Sequence, residues 1–397
     1  MSVLNHSDEK LEMNETRFDV VIVGGGLVGA SLALALAGSR QKVALVEGGM
    51  PTDPAALLQG WDSRIYAISP ANRRFLESLG AWPDSARIGI IREMDVRGDA
   101  GGAIRFSAED ADAQALAYIA ENRWMLGALW QRLAESGIHC MTGARVAELA
   151  TDPHRAQLTL DDGRQFEARL VVGADGAASR IRTLAGVDAA IKPYGQSGVV
   201  ANFACERPHG GVARQWFTGD SILAWLPMAG NRISIVWSTF RPEDLLALDE
   251  ARLADTVAAA GQHALGRLET LTPAAAFPLR LIRPEGMVRE RVALAGDAAH
   301  TVHPLAGQGV NLGFQDAAVL AGLLREAADA GDWMLLRRYE RSRREAIHTM
   351  QTACDGLFSL FHTHDLPGLA WLRNTGLTLA GRLGPLRRQF ARHAIGY

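Results

Sequence analysis

Little in this sequence supports a covalent or metal-built framework. Its 397 residues hold three cysteines, Cys140, Cys205 and Cys354, far apart and nowhere spaced as CxxC. A disulfide scaffold and a zinc knuckle are thereby excluded as organising features, and a reducing compartment, the cytoplasm, is expected. Long apolar runs are also lacking. The longest, GLVGASLALALAG from Gly26 to Gly38, is shorter than the ~20 residues a bilayer-spanning helix needs and is broken by Gly and Ser, so no transmembrane helix is expected. There is no excess of positive charge either: the formal net charge is −3, with 21% charged residues. That balance argues against a nucleic-acid binder coated in basic patches and leaves a small molecule as the expected partner. The opening MSVLNHSDEKLEMNETR lacks the basic-then-apolar order of a secretion signal and reads as a disordered lead-in over residues 1–17. No internal repeat or low-complexity tract is visible.

What is present is strongly patterned. FDVVIV (Phe18 to Val23) is a short β-branched run ending in glycines, followed by an Ala/Leu-rich helical stretch and the apolar run KVALVEGG. Together they predict a βαβ unit. RVAELATD, RAQLTLDDG and RQFEARLVVGADG predict a meander appended to that sheet, with DDG at a turn and a buried strand from Leu170 to Gly173. From about Pro193 to Arg283 the pattern changes. SGVVANFAC, ARQWFTG, SILAWLPM and RISIVWSTF predict strands of a separate antiparallel sheet. RVALAGD (Arg291 to Asp297) is again a buried strand and VNLGFQDAAVLAGLLREAADAG a helix, so the nucleotide unit resumes after an insertion. The expected division is a nucleotide unit over 18–82, 115–185 and 275–330, an inserted substrate sheet over 83–114 and 186–274, and C-terminal helices over 331–397.

Three segments carry chemistry. GGGLVG sets Gly24, Gly26 and Gly29 in GxGxxG spacing between a strand and a helix. The first glycine allows the tight turn, the second lets backbone approach a pyrophosphate at the helix N-terminus, and the third lets helix and strand pack closely. Glu47 closes the next strand near the ~20-residue offset of a ribose-binding acid, which favours FAD or NAD over a 2′-phosphorylated dinucleotide. In LVVGADGAASRIR, the turn Asp175-Gly176 and the arginines Arg180 and Arg182 place amides and guanidinium charge near such a dinucleotide. In GDAAHTVHPLAGQGVNLGFQDA, Asp297 follows an apolar strand and could accept from a polyol. Pro304, Gly307, Gly309 and Asn311 then precede a helix whose N-terminus favours negative charge.

These segments, in this order, resemble those of the flavin-dependent aromatic hydroxylases of the para-hydroxybenzoate hydroxylase type. DSRIYAISPANRRFLESLGAW (Asp62 to Trp82), YIAENRWMLGALWQRL (Tyr118 to Leu133), FPLR (Phe277 to Arg280), CDGLFSLF and LRNTGL resemble, more narrowly, the ubiquinone-biosynthesis FAD-dependent hydroxylases. The resemblance runs from Phe18 onward. It implies an α/β fold: a Rossmann-like FAD-binding domain, an inserted antiparallel β-sheet substrate domain and a helical C-terminal segment. It implies that Gly24, Gly26, Gly29 and Glu47 hold the FAD adenosine and pyrophosphate, with Arg64 reaching the pyrophosphate and Arg123 facing the cofactor. Val146 is among the cofactor positions, and Asp175 and Gly176 belong to the motif associated with both FAD and NAD(P)H. Asp297 would bind ribitol. Pro304 and the turn from Gly307 to Asn311 would lie beside the flavin ring, with the amides of Val310 and Asn311 at its pyrimidine edge. No side chain is assigned a catalytic role.

The activity implied is hydroxylation of a polyprenyl phenol or benzoquinol by O2 through a flavin C4a-hydroperoxide, with NAD(P)H as electron donor. An FAD-dependent reductase of a prenylated substrate and a non-catalytic FAD-containing subunit of a biosynthetic complex are the alternatives. Such chemistry needs water kept away. Trp216, Phe217, Trp225 and Pro227 suit that cover and suit plain core equally. After Asp365 there is no acid, while Arg373, Arg382, Arg387, Arg388 and Arg392 alternate with apolar residues. This tail suits peripheral contact with an anionic bilayer or with partner enzymes, and equally a helix packed on the body. His300 and His303 have no nearby third ligand, so they read as structural or flavin-proximal hydrogen bonders and no metal is expected.

Overall fold

The computed structural model describes residues 16–50, 60–83, 85–303 and 307–362, and then 374–375, 378–379, 388–389 and 391–392. Residues 1–15 of the expected lead-in, Pro304 and most of the basic tail therefore lie outside the described residues. Arg17, which the lead-in was expected to include, instead opens the first strand and pairs with Glu167.

The βαβ unit consists of β1 (Arg17–Val23), α1 (Leu27–Leu36) and β2 (Val43–Glu47). Helix α1 is apolar all round because it is buried all round, sandwiched between sheet and a second helix. The sheet continues with β3 (His139–Thr142), β4 (Gln165–Gly173) and β5 (Val292–Leu294). Their order is β5-β4-β1-β2-β3, every neighbouring pair being parallel. Strands covered on both faces read as unbroken apolar runs, which is why VVIV, VALV and LVVG carry no alternation. The meander is present: 146–151 and 156–160 pair antiparallel with each other, and 156–159 with β4 across the DDG turn.

A second sheet is built around the 17-residue strand Ala189–Cys205, which pairs with Arg232–Thr239, Leu268–Thr270 and Ala275–Pro284. It continues through Ile222–Met228 and Val212–Phe217 to the hairpin Glu93–Arg97 and Ala103–Ser107. Two expectations need adjusting. The joint between Val212–Phe217 and Glu93–Arg97 is parallel, since the hairpin arrives from a separate excursion of the chain and not through a tight turn. And residues 275–284, expected in the nucleotide unit, pair along Ala189–Val200: the chain forms a strand of the second sheet on its way back to β5.

The two faces of this sheet differ. Trp216, Trp225, Ile235 and Phe203 pack together with Leu253 and Val257 of the helix Glu250–Ala260, so the two tryptophans are core on the helix-covered side. Asn202, on the alternate register, donates from Nδ2 to the Asp62 carbonyl at 2.7 Å, which ties the opposite face to the nucleotide unit. Phe217 stacks on Phe361 with centroids 3.9 Å apart.

Two further helices complete the frame. α4 (Gly309–Leu324) is counted after α2 (Pro70–Ser78) and α3 (Asn122–Glu135), and α5 (Trp333–His362) follows. Helix α5 reaches both sheets: Tyr339 donates to the Leu294 carbonyl at 2.9 Å, and Phe358 packs on Tyr194 with Leu279 and Leu281. At two described points, Asn374 and Ala391, the tail packs on the body, while Leu379, Arg388 and Arg392 are exposed. Asn374 Oδ1 accepts from the amides of Ala100 and Gly102 at 3.2 and 2.9 Å, and Ala391 is buried among Ile91, Leu116 and Met228.

Candidate functional site

The glycine loop turns at Gly24, whose φ of +107° and contact with Ala174 and Asp175 leave no space for a Cβ. A Cβ on Gly29 would sit inside the Gly24 carbonyl oxygen, so α1 is pressed against the turn it follows. Gly26 differs: among the described residues nothing lies within 4 Å of where its Cβ would be. It is the N-cap of α1, no side chain caps that end, and no acid occupies the first turn. The first-turn amides thus have no side-chain acceptor among the described residues and the helix dipole lies behind them, which suits an anion. Glu47 is held beside them, Oε2 accepting from Gly25 N at 2.5 Å and Oε1 from Gly49 N at 2.7 Å. From the other side the Trp130 indole of α3 donates to the Gly25 carbonyl at 3.0 Å.

Asp297 stands on the short turn after β5. Its carboxylate is exposed and accepts no hydrogen bond among the described residues. Yet surrounding protein raises its pKa by desolvation, against the attraction of His300, Arg64 and Arg280. Its carboxylate is thus reached by solvent yet closely surrounded by protein. Arg64 is exposed, acts electrostatically on Asp297 and lies 5.8 Å from the Tyr66 ring, and burial raises the Tyr66 pKa. α4 opens next to this turn at Gly309, again with no side-chain cap and no acid in its first turn. Gly296 and Gly313 both fit against Val28 of α1, so the two uncapped helices pack on each other through glycine.

The remaining expected residues are mainly braces. Asp175 accepts from Ser179 Oγ at 2.5 Å and from the amides of Arg180 and Ile181 at 2.7 and 3.1 Å, capping the short helix Arg180–Leu184. Gly176, at φ +82°, turns the chain beneath it. Arg182 then donates to the carbonyls of Ala298 and Ala177, both at 2.9 Å, joining the second motif to the third. Asn311 is buried, donating to the Ala67 carbonyl at 2.8 Å and accepting from Ser69 N at 2.9 Å and Asn72 Nδ2 at 2.8 Å. Its side chain locks the start of α4 to the Ile65–Ile68 strand, while Val310 beside it is partly buried. Gly307, at φ +59°, fits against Ala67. Arg123 N donates to Asp62 Oδ2 at 3.1 Å and its guanidinium lies 3.6 Å from Glu121. Val146 is buried in the main core.

Sequence reasoning missed the network behind the Asp297 turn. Asp316 is fully buried on α4 and accepts from Gly296 N at 2.9 Å, His300 Nε2 at 2.7 Å and Arg343 Nε at 2.7 Å. His300 is thereby a hydrogen-bonded brace, while His303 packs edge-on against Tyr194 and near Phe358. The signal was there: a lone acid in the apolar run VNLGFQDAAVLAGLL needs a buried partner. It also missed Asp62 and Glu121. Asp62 N donates to Glu121 Oε2 at 2.7 Å, and Arg87 holds Glu121 Oε1 at 2.6 Å. Among the described residues no group of three or more His, Cys, Asp and Glu side chains could hold a metal ion.

These features fit an FAD. The unobstructed helix end at Gly26 with Glu47 beside it suits a dinucleotide pyrophosphate and ribose. Asp297, with no donor among the described residues, suits a polyol hydroxyl, and the second uncapped helix end suits a ring that gains negative charge.

Comparison with known proteins agrees. Residues 17–353 match the FAD binding domain family. The chain is 39% identical over 393 residues to the ubiquinone hydroxylase UbiL of Rhodospirillum rubrum, covering 95% of this chain and 89% of that one. It is 36% identical over 390 residues to the 3-demethoxyubiquinol 3-hydroxylase of Escherichia coli, covering 95% and 98%. Among solved structures, p-nitrophenol 4-monooxygenase PnpA from Pseudomonas putida superposes with a TM-score of 0.77 over 94% of this chain and 96% of that one. At 19% identity that match speaks to the fold alone.

Proposed function

This chain belongs to the FAD binding domain family and, within it, to the ubiquinone-biosynthesis hydroxylases, and from that premise we propose that it hydroxylates the ring of a polyprenylated phenol or quinol. It is an FAD-dependent monooxygenase. The observation that carries the substrate reading is the match to ubiquinone hydroxylases over nearly the whole length of both chains. NAD(P)H is the proposed electron donor.

In this reading Gly24, Gly26, Gly29, Glu47 and Arg64 hold the adenosine and pyrophosphate, and Asp297 the ribitol. Arg123, Val146, Asp175 and Gly176 shape the surrounding wall. Gly307, Gly309, Val310 and Asn311 present the open end of α4 to the ring, where amides and dipole favour negative charge. Bound there, the flavin supplies the activation of O2 and the transfer of one oxygen atom. The chain's own residues orient and shield. Asn202 fastens the substrate sheet to the Asp62 loop, and the Phe217–Phe361 stack closes α5 over the same face. Keeping water out limits loss of reductant to hydrogen peroxide.

The FAD-loaded chain, given NAD(P)H and a polyprenylated phenol, should consume O2 in step with a product heavier by one oxygen atom. Reduction of the substrate without O2 uptake would favour a reductase, and NAD(P)H oxidation that no phenol stimulates would reject the hydroxylase reading.

A further inference from the structure

We propose that the solvent-facing side of the first half of α5 docks on an anionic lipid bilayer. The inward side of this helix is fully used: Leu336, Tyr339, Glu340, Arg343 and Ile347 are buried. The outward side carries a different set. Trp333 and Met334 are 49% and 64% exposed. Arg338, Arg341 and Arg344 follow at helical spacing, exposed, and none of them makes an ion pair or side-chain hydrogen bond among the described residues. Arg337, on the edge of this face, pairs inward with buried Glu340 and lies 5.7 Å from the Trp333 ring. His348 and one acid, Glu345, share the face.

The chain as a whole is slightly acidic, so a cluster of cations on one helix is local and not inherited from composition. Several exposed arginines elsewhere find carboxylates, Arg155, Arg164 and Arg105 among them, whereas these three stand together at helical spacing on one face without one among the described residues. Three guanidinium forks, exposed and unpaired among the described residues, complement lipid phosphates, which take such forks bidentately. An exposed indole beside a thioether is the apolar element that seats such a helix at the headgroup boundary. The biological use of this face rests on the reading that the substrate is a membrane-borne polyprenyl compound; the binding itself does not.

The test is co-sedimentation of the full-length, FAD-loaded protein with vesicles. It should bind phosphatidylcholine vesicles containing phosphatidylglycerol, bind pure phosphatidylcholine far less, and be released by high salt. The variant Arg338→Gln/Arg341→Gln/Arg344→Gln should lose about fivefold in partitioning per arginine, roughly a hundredfold together. Because those side chains are exposed and unpaired, melting temperature and flavin absorbance should match the parent, which separates lost docking from lost folding. The proposal is overturned if the parent ignores phosphatidylglycerol, as it would if the face served an acidic protein, or if it binds both vesicle types equally. Unchanged binding by the triple variant overturns it too. Turnover of a short-tailed, water-soluble phenol without vesicles should be equal in parent and variant. If neither turns it over while the parent still binds vesicles, the substrate reading fails and the docking face stands.

Discussion

Asp316→Asn removes the charge that holds the Asp297 turn from behind. Asp316 and Arg343 have side chains 0% and 6% exposed, so neither has water to fall back on. Breaking one partner of such a buried pair costs about 3–5 kcal/mol, a large share of the roughly 5–15 kcal/mol that keeps a typical protein folded. The pH dependence has a definite sign. Burial, the largest single influence, pushes the Asp316 pKa up, but His300 and Arg343 outweigh it and leave it below the ordinary carboxylate value. The stabilisation is therefore full above the unfolded pKa of about 4 and is lost as pH falls through the lower folded value. Denaturant unfolding of the parent, Asp316→Asn, Arg343→Met and the double variant would measure the coupling. At neutral pH the double variant should be more stable than the sum of the singles implies by more than about 1 kcal/mol. Losses that add to within about 0.5 kcal/mol would refute the network. Since the same carboxylate holds Gly296 N and His300, the single variant should also bind FAD more weakly.

Two alanine substitutions in the glycine loop should separate cofactor space from packing. Gly26→Ala meets no described atom within 4 Å, so it should leave the apo-protein's melting temperature nearly unchanged while weakening FAD affinity; Gly29→Ala collides with the Gly24 carbonyl and should destabilise the apo-protein by about 1–3 kcal/mol. The opposite pattern in calorimetry and flavin titration would remove the pyrophosphate from Gly26. Asp297→Ala should purify colourless with its fold intact by circular dichroism, and full yellow occupancy would show that the ribitol role is wrong.

Much of the site could be read from the chain because its logic is local. GxGxxG needs a strand, a turn and a helix within a few residues, and β1, the Gly24 turn and α1 supply them in that order. Glu47 followed from the same unit. The strands of the second sheet were legible from their alternation and their Gly and Pro punctuation. The side on which Trp216 and Trp225 stand was not: alternation separates two faces but does not say which one the helix Glu250–Ala260 covers. Residues 275–284 misled for a related reason, since pairing with a partner some eighty positions away leaves no mark on a strand's own pattern.

The sequence by itself determined the elements, the family resemblance and the residue types able to meet a dinucleotide, because short-range sterics and hydrophobic periodicity act within a few residues. Only the tertiary structure decided what each polar group does once long-range partners compete for it. Asp175 and Asn311, both in the flavin motifs, have their side chains occupied as braces, whereas Asp297 meets no donor among the described residues. Asp316 became a keystone because folding brought Gly296, His300 and Arg343 to a single carboxylate closed off from bulk solvent. A buried charge must find its partners wherever the chain delivers them, and that delivery belongs to the fold.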